Sequence, residues 1–392
     1  MTSHEQAAGH ASAQAPRCAV ATAAPITIDA FLVPHVDQLL ARGATVSLLA
    51  GPGEFPDLTG RVGATIRVIR HLRREPSPAA DLRALGATWR VLRRDRIDAI
   101  HIGTPKAGLI VGLAALLASV RRRVYTIHGL RYETMRGTGR TVFRLLEKLS
   151  CAVATDVLAV SQSVADTAVG DGVVSLSKVR VLGRGSISGV DAARFQSTPE
   201  KRSESRRRWG VSDAEVVVLF VGRLSVDKGV DDLPAIWSEV RAHVDRARLV
   251  VIGEVDESQP PSPATLEALA SDSSVAMAGH VVDPSAAYSA ADLLLLPTRR
   301  EGFGSVVLEA AAAGVPTVGS DVTGMRDAIE AGVTGVLVAP EKPREFAHAV
   351  AGLLNDHEAR QLLGENARRR VLTDFVEEDV VARYVDVLMG ER

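Results

Sequence analysis

The sequence predicts an α/β protein built from two doubly wound domains that face each other across a cleft. Short runs rich in β-branched residues alternate with longer helical patterns along the chain, which is typical of βαβ units around parallel sheets. The alternation restarts after a charged stretch at residues 200–208. The length of 392 residues exceeds that of one ordinary domain and suits two.

Thirteen short apolar runs predict the strands, seven in the first half and six in the second. First-half strands are expected at residues 18–22, 45–50, 66–69, 99–102, 123–127, 157–160 and 179–182. Second-half strands are expected at residues 216–221, 249–252, 275–278, 293–296, 317–319 and 335–338. Residues 293–296 are consecutive leucines, so this strand has no polar face and is expected to be covered on both sides.

Helical patterns lie between these strands. Examples are residues 28–42, 81–94 and 139–154. We expect Thr27 to cap the first of them and Pro34 to kink it or delay its start. The longest apolar run, residues 107–120, is shorter than the roughly twenty residues that a membrane span needs, so it predicts a buried helix.

These patterns divide the chain into four parts. Residues 1–16 predict a disordered tail, because they lack the charged and apolar regions of a signal peptide. Residues 17–195 and 196–374 predict the two Rossmann-like domains. Residues 375–392 predict a C-terminal helix that can pack back on the first domain.

Charge distribution, aromatic content and cysteine content indicate which partners and which cellular compartment the protein suits. The first 195 residues carry a net charge of +10 and the remainder −11, so the basic half could face anionic lipid or a phosphorylated acceptor, or be a solvated arginine-rich surface. An aromatic content of 4% argues against a stacked nucleic-acid platform. The two cysteines, Cys18 and Cys151, form no disulfide framework, which indicates a cytoplasmic protein.

The strongest functional pattern directly follows the leucine strand. Gly302 and Gly304 allow the backbone to approach a ligand closely, and a helix is expected to start near Ser305. The N-terminus of a helix suits a phosphate. Glu301 precedes this helix and Glu309 lies inside it, so two carboxylates can accept hydrogen bonds from sugar hydroxyl groups. The alternative is a capped surface helix with solvated glutamates.

A second pattern is the strand at residues 216–221, which runs into Gly222, Arg223 and Lys228. At the carboxyl end of a parallel strand the two cations can point into the cleft. There they would neutralise a diphosphate and stabilise the charge that builds as it leaves. The alternative is an ordinary surface loop that carries arginine and lysine.

These segments resemble the donor site of the retaining GT-B glycosyltransferases of family 4. The Glu-x7-Glu motif of that family is matched by Glu301 and Glu309. Further similar stretches contain Gly253, Gly279-His280-Val281 and Gly189-Val190-Asp191 with Phe195. The resemblance extends over nearly the whole chain and is more specific in the C-terminal half.

The resemblance implies a role for each matched residue of the C-terminal half. Arg223 and Lys228 would bind the donor diphosphate. Glu301 would contact the donor sugar, and Glu309 the ribose hydroxyl groups. The backbone amides of Phe303, Gly304 and Ser305 would hold sugar and phosphate. The donor-binding set is completed by Gly222, Gly253, His280 and Val281, of which the segment around His280 would flank the base.

In the N-terminal half, Thr126-Ile-His-Gly129 resembles the motif whose histidine reaches the sugar, so His128 would take that role. The stretches 128–134 and 147–161 resemble a bacterial subgroup that extends lipid-linked oligosaccharides. Arg131 and Arg136 are candidates for the acceptor side. The Gly-Gly loop that many members carry after the first strand is missing at residues 22–28, so we expect no phosphate contact there.

The resemblance implies a hexosyltransferase-type enzyme that moves a sugar from a nucleoside-diphosphate sugar to a hydroxyl acceptor with retention at the anomeric carbon. The expected acceptor is a polyprenyl-diphosphate-linked saccharide at the inner face of the cell membrane, with peripheral contact to anionic lipid. A soluble natural-product acceptor, an epimerase or hydrolase of nucleotide sugars, and a non-catalytic binding protein stay open as alternatives. Since no Asp-rich metal motif is evident, we expect no metal and no other cofactor.

Overall fold

The computed structural model describes residues 15–53, 63–73 and 77–391. Its strands form two parallel sheets, one of seven strands and one of six, with helices packed on them. This confirms the predicted class of two doubly wound α/β domains. The predicted disordered tail lies outside the described residues except for its last two positions.

The first sheet has the strand order β3-β2-β1-β4-β5-β6-β7. Its strands are β1 (Arg17–Ala21), β2 (Thr45–Ala50), β3 (Ala64–Val68), β4 (Ala99–Ile102), β5 (Arg122–Ile127), β6 (Asp156–Ala159) and β7 (Val179–Val181). The order reverses between β1 and β4. In open α/β sheets, ligands bind beyond the carboxyl ends of the strands at such a reversal.

Helices cover both faces of this sheet. One face packs against α1 (Pro25–Phe31) and α2 (Val33–Ala41), and the other against α3 (Pro78–Arg94), α4 (Pro105–Leu117), α5 (Gly137–Val153) and α6 (Gln162–Gly170). The pattern over residues 28–42 forms two helices that separate at Leu32, in agreement with the break or later start expected from Pro34. Pro34 lies in the first turn of α2, where its missing N–H costs nothing. Thr27 does not cap α1, whose N-cap is Ala24.

Helix α4 departs from its prediction at one end. Most of its body is buried between the sheet and its neighbours, as predicted for residues 107–120. Its last two residues, Leu116 and Leu117, are 45% and 60% exposed. The prediction of a buried helix is therefore wrong for the final turn.

The second sheet has the order β10-β9-β8-β11-β12-β13 and reverses between β8 and β11. Its strands are β8 (Val216–Val221), β9 (Ala247–Ile252), β10 (Val275–Gly279), β11 (Leu293–Leu296), β12 (Thr317–Ser320) and β13 (Gly335–Val338). All four leucines of β11 are buried, as its sequence predicts. This reversal brings the two predicted functional loops, which follow β8 and β11, side by side.

The second domain carries the remaining helices. They are α7 (Pro199–Arg208), α8 (Leu233–His243), α9 (Pro263–Ser271), α10 (Ser285–Ala290), α11 (Ser305–Ala312), α12 (Met325–Ala328), α13 (Pro343–Asn355), α14 (His357–Asp374) and α15 (Glu377–Met389). Helix α15 crosses to the first domain and packs against α2, β4 and β5. Arg42 donates to Asp386 at 2.5 Å, and Tyr384 donates to the Ser186 carbonyl at 3.1 Å. Within the described residues, no helix combines the length and apolarity that crossing a bilayer requires.

Candidate active site

The loop after β8 begins at a point where two backbones nearly touch. The Gly222 N–H donates to the Ile252 carbonyl at 3.0 Å. A Cβ built on Gly253 would lie 1.8 Å from the Gly222 carbonyl oxygen, so only glycine fits at the end of β9. Both glycines also have positive φ angles, which residues with side chains rarely adopt. The two strands therefore end in bare backbone at the mouth of the cleft.

Lys228 and Glu301 meet at the reversal between β8 and β11. Lys228 Nζ lies 2.5 Å from Glu301 Oε2, and the two side chains are only 23% and 19% exposed. Partial burial makes such a charge-assisted hydrogen bond stronger than a surface ion pair. The structure thus brings together two residues that the sequence placed in separate motifs, 73 positions apart.

Asp227 fixes the relative position of these two loops. Its backbone carbonyl accepts from the Arg299 N–H at 2.8 Å and from Thr298 Oγ1 at 3.0 Å. Its carboxylate accepts from Arg300 at 2.7 Å. Asp227 and Arg300 are not among the residues predicted from sequence, although each is the immediate neighbour of a predicted site residue. The only feature of the sequence that could have indicated Asp227 is its acidic side chain next to Lys228.

Arg223 pairs with Asp256, a residue of the loop after β9 that is also not among those predicted from sequence. Asp256 itself accepts from Ser258 Oγ at 2.6 Å, which orients the carboxylate. The guanidinium is 60% exposed, so a bound anion can reach it. Arg223 therefore lies at the same sheet edge as Lys228, held by a carboxylate of its own.

The turn after β11 leads into α11 through Gly304. Gly304 has φ 82°, a left-handed conformation that favours glycine, and Ser305 is the first residue of the helix. Ser305 and Val306 supply the first N–H groups of the helix, whereas the Val307 N–H already donates to the Gly304 carbonyl at 2.9 Å. The Phe303 side chain turns away from this site and packs against Phe375 at a ring-centroid distance of 5.3 Å.

Glu309 lies one turn into α11 and bonds a buried tyrosine. Tyr288 of α10 donates its hydroxyl to Glu309 Oε2 at 2.5 Å. Burial raises the pKa of Glu309, and the Tyr288 hydrogen bond partly offsets this. Tyr288 is itself locked by an edge contact with Phe195 at 5.6 Å between ring centroids. Tyr288 could not be predicted from sequence, because no local pattern links α10 to α11.

The first domain touches the glutamate turn directly at His128. A Cβ built on Gly302 would lie 1.8 Å from the His128 carbonyl oxygen. Ser161 Oγ donates to the Gly302 carbonyl at 3.0 Å. The backbone of the first domain therefore closes over the residue that follows Glu301.

The His128 imidazole lies on the first-domain side of this contact, with its Nε2 3.1 Å from a Cβ built on Gly103. Its Nε2 is buried and lacks a hydrogen-bond partner among the described residues. Burial lowers the pKa of His128 to about 4, so the ring is neutral at pH 7. A neutral imidazole nitrogen can donate to or accept from a ligand hydroxyl.

A second set of contacts joins α6 of the first domain to α12 of the second. Asp327 accepts from the backbone N–H groups of Gln162 and Ser163 at 3.0 and 3.1 Å. Ser163 Oγ accepts from the Gly324 N–H at 2.7 Å. A carboxylate at a helix N-terminus is favourable because it complements the helix dipole. These contacts span about 160 positions, so no local sequence pattern could indicate them.

The other predicted residues follow β10 or lie in the first domain. His280 is exposed immediately after β10, and Val281 packs partly against the core. Arg131 stacks over the Phe143 ring at 5.0 Å, so this cation is engaged within the first domain. Arg136 is exposed at the start of α5. The acceptor-side roles of both arginines stay predictions.

Two family models match the chain. The model described as Glycosyltransferase Family 4 matches residues 34–186, and the model described as Glycosyl transferases group 1 matches residues 201–370. Each therefore lies within one of the two sheet-and-helix units.

Sequence relatives and solved structures agree with the family models. The capsular polysaccharide biosynthesis glycosyltransferase CapM of Staphylococcus aureus is 31% identical over 304 residues, which cover 78% of this chain and 80% of that protein. A GDP-mannose-dependent phosphatidylinositol monomannoside mannosyltransferase of Mycobacterium tuberculosis is 28% identical over 93% of this chain and 94% of that protein. The Anabaena HepE structure in complex with UDP-glucose has a TM-score of 0.79 at 19% identity, over 95% of this chain and 98% of that one. The chain therefore belongs to family 4 of the glycosyltransferases and is a sugar-transferring enzyme with the GT-B fold.

Proposed function

We propose that this enzyme transfers a sugar from a nucleoside-diphosphate sugar to a hydroxyl group of a polyprenyl-diphosphate-linked saccharide, with retention at the anomeric carbon. The observation that carries the proposal is the half-buried Lys228–Glu301 pair at the β8/β11 reversal, beside the start of α11. A cation, an acceptor carboxylate and free helix N–H groups at one edge fit a sugar joined to a diphosphate.

The proposed reaction breaks the bond between the anomeric carbon and the donor phosphate oxygen. Negative charge then develops on the leaving diphosphate, and Lys228, Arg223 and the α11 N-terminus stabilise it. The acceptor oxygen forms its bond to the anomeric carbon on the face that the phosphate leaves. Its proton passes to the departing phosphate oxygen, which keeps charge and atoms balanced. These two cations take the place of a metal ion in the proposal.

The contact between the two domains at Gly302 supports the part of this mechanism in which donor and acceptor are held next to each other. Direct contact between His128 and Gly302 excludes water from the glutamate turn and fixes the two half-sites relative to each other. We propose that the unpaired Nε2 of His128, buried beside Gly103, bonds a sugar hydroxyl once substrate occupies the cleft. The Ser161 and Asp327 contacts keep the cleft in this closed arrangement.

The names of two relatives agree with a saccharide acceptor, and one of them with a saccharide carried on a lipid. The name of the Staphylococcus aureus relative refers to capsular polysaccharide, and that of the Mycobacterium tuberculosis relative to a phosphatidylinositol mannoside. The net charge of +10 in the first 195 residues suits a diphosphate-linked acceptor near an anionic membrane.

A donor screen by thermal shift, followed by transfer assays, tests the proposal. UDP-, GDP- and TDP-sugars are compared, and the correct donor at a hundredfold excess over its dissociation constant stabilises the protein by about 2.7 kcal/mol. Incubation with an undecaprenyl-diphosphate saccharide is expected to yield an α-linked product from an α-linked donor, as read by NMR. An inverted product would refute retention. A protein that no nucleotide sugar stabilises would refute the donor class, and transfer to soluble acceptors alone would refute the lipid-linked acceptor.

Replacing Tyr288 by phenylalanine should weaken donor binding in a pH-dependent way. The Tyr288 hydroxyl favours the ionised form of Glu309, so its removal raises the Glu309 pKa further. The carboxylate that accepts from the ribose is then protonated at higher pH, and affinity falls earlier on acidification. Loss of one charge-assisted hydrogen bond should cost about tenfold in affinity, measured by calorimetric titration over a pH series.

The matched control is Tyr384→Phe, since Tyr384 is also buried but donates to the Ser186 carbonyl, away from the donor site. It should leave both affinity and pH profile unchanged. If the fall in donor affinity at acidic pH occurs at the same pH in Tyr288→Phe as in the wild type, this hydroxyl does not affect the pKa of Glu309.

A further inference from the structure

The segment after β5 brings the first domain against the turn that follows Glu301. A Cβ built on Gly129 would lie 3.3 Å from the Gly302 Cα. The chain then forms a 3-10 turn, Arg131–Thr134, before α5 begins. From the second domain, a Cβ built on Gly324, in the loop after β12, would lie 2.3 Å from the Gly302 carbonyl oxygen. The 3-10 turn and the loop after β12 therefore meet beside the candidate active site.

Glu133 of this 3-10 turn bonds across the domain boundary through one of its two carboxylate oxygens. Its Oε1 accepts from Thr323 Oγ1 at 2.6 Å. Its Oε2 is buried and has no hydrogen-bond partner among the described residues. Burial raises the pKa of Glu133, and the bond from Thr323 partly offsets this. Because a buried carboxylate oxygen without a donor is unfavourable, Oε2 suits a hydrogen-bond donor from outside the chain.

Arg300 carries a complementary unpaired group on the second domain. Its guanidinium donates to the Asp227 carboxylate at 2.7 Å, immediately before Glu301 in the chain. Its Nε is buried and has no acceptor among the described residues. After burial and the Thr323 bond, the charge of Arg300 has the next largest effect on the pKa of Glu133, so the two side chains lie near each other across the domain boundary. The boundary therefore holds an unpaired acceptor on one side and an unpaired donor on the other.

We propose that Glu133 binds a hydroxyl group of the acceptor saccharide and, with Arg300, determines which acceptor is used. Hydroxyl groups both donate and accept hydrogen bonds, so a saccharide suits a carboxylate oxygen and a guanidinium N–H that have no other partner. The bound hydroxyl is not the attacking one, because the proposed reaction passes that proton to the departing phosphate. The donor is the less suitable occupant, since Lys228 and Glu301 both belong to the second domain. The inference deepens the proposed function and rests on it for the class of acceptor.

A comparison of sugar transfer with donor hydrolysis tests the role of Glu133. Wild type, Glu133→Ala and the equally large Glu133→Gln receive saturating donor, with an undecaprenyl-diphosphate saccharide or with water as the only acceptor. Glu133→Ala should raise the KM for the saccharide about ten- to a hundredfold, the usual effect of losing a hydrogen bond to a charged group. Donor hydrolysis and thermal stabilisation by the donor should not change. The KM should rise on acidification in wild type but not in Glu133→Gln, because protonation weakens the carboxylate as an acceptor.

Acceptors that lack one hydroxyl group identify the contact independently of any change in the fold. Monodeoxy analogues of the same saccharide are compared in wild type and Glu133→Ala. One analogue should lose about ten- to a hundredfold in kcat/KM with wild type and no more with Glu133→Ala, because the variant already lacks that contact. Independent, additive losses for every analogue would show that Glu133 contacts no acceptor hydroxyl.

The matched control for domain closure is Ser163→Ala. Ser163 accepts from the Gly324 N–H at 2.7 Å, so this variant weakens the same domain boundary and leaves Glu133 in place. It should reduce transfer and hydrolysis in equal proportion. An equal reduction of both in the Glu133 variants would assign Glu133 to closure alone and overturn the proposal. An unchanged KM in both Glu133 variants would overturn it too, since Oε2 would then bind only water.

The wild-type acceptor profile separates this inference from the proposed function. Transfer to a soluble methyl glycoside alone would refute the lipid-linked acceptor, and the Glu133 variants are then compared on that glycoside. Transfer to the lipid-linked saccharide with an unchanged KM in the Glu133 variants would overturn the role of Glu133 alone. Donor hydrolysis without transfer to either saccharide would overturn both.

Discussion

Replacement of Lys228 by alanine should reduce turnover by about a hundred- to a thousandfold while the chain stays folded. Removing one preorganised group that stabilises transition-state charge typically costs about 2.7–4 kcal/mol. Lys228 fits that role because its ammonium is half-buried, 2.5 Å from Glu301, in the loop after β8. Steady-state rates at saturating donor measure the effect, since a lost ground-state contact would appear mainly in KM.

Two further variants separate the loss of a cation from the loss of a partner. Lys228→Ala leaves the Glu301 carboxylate half-buried without its ion pair, which by itself destabilises the protein. Lys228→Ala/Glu301→Gln should regain that stability but not the turnover. Lys342→Ala removes an exposed lysine of the same domain and should change neither quantity. A Lys228→Ala enzyme within threefold of wild-type turnover would contradict the proposed role.

Replacement of Gly302 by alanine should reduce turnover by about a hundredfold or more through a single methyl group. The new Cβ would lie 1.8 Å from the His128 carbonyl oxygen, which is backbone and cannot rotate away. The two domains must therefore separate at the site where the sugar would sit. Misplacement of reacting groups by about 1 Å is enough to cost two orders of magnitude in rate.

The readouts for Gly302→Ala are turnover, donor binding and the radius of gyration in solution. Donor binding should persist, because the loops after β8 and β9 lie within the second domain. The radius of gyration should rise relative to wild type. The control Gly352→Ala lies in α13, where the added Cβ meets nothing within 4 Å, and should be neutral or slightly stabilising. Wild-type turnover in Gly302→Ala would contradict the closed cleft.

The alternation of strands and helices was predictable because each element carries its own pattern. Strands β2, β4, β8, β11 and β13 begin and end where their apolar runs do. The break between α1 and α2 was indicated by Pro34 and not by periodicity, because the apolar spacing continues across Leu32. Helix α4 exposes Leu116 and Leu117 although they belong to an unbroken apolar run. An apolar run predicts a helix but not which of its residues the neighbours will cover.

The two halves of the candidate site differ in how far sequence could identify them. Lys228 and Glu301 each belong to a glycine-rich motif that follows a strand, so both were found, and the β8/β11 reversal explains why they meet. Tyr288 carries no such motif and contacts Glu309 only through the packing of α10 on α11. The Ser163–Asp327 contact depends on how the two domains close. Residues that act through tertiary partners need the fold before they can be recognised.

A crystal structure with the donor identified by the thermal screen, in an uncleavable form, tests the central claim most directly. The account predicts the diphosphate between the loops after β8 and β11, with Lys228 Nζ at about 3 Å from a phosphate oxygen and Glu301 at the sugar. A nucleotide bound elsewhere, with the Lys228–Glu301 ion pair intact and remote from it, would contradict the account.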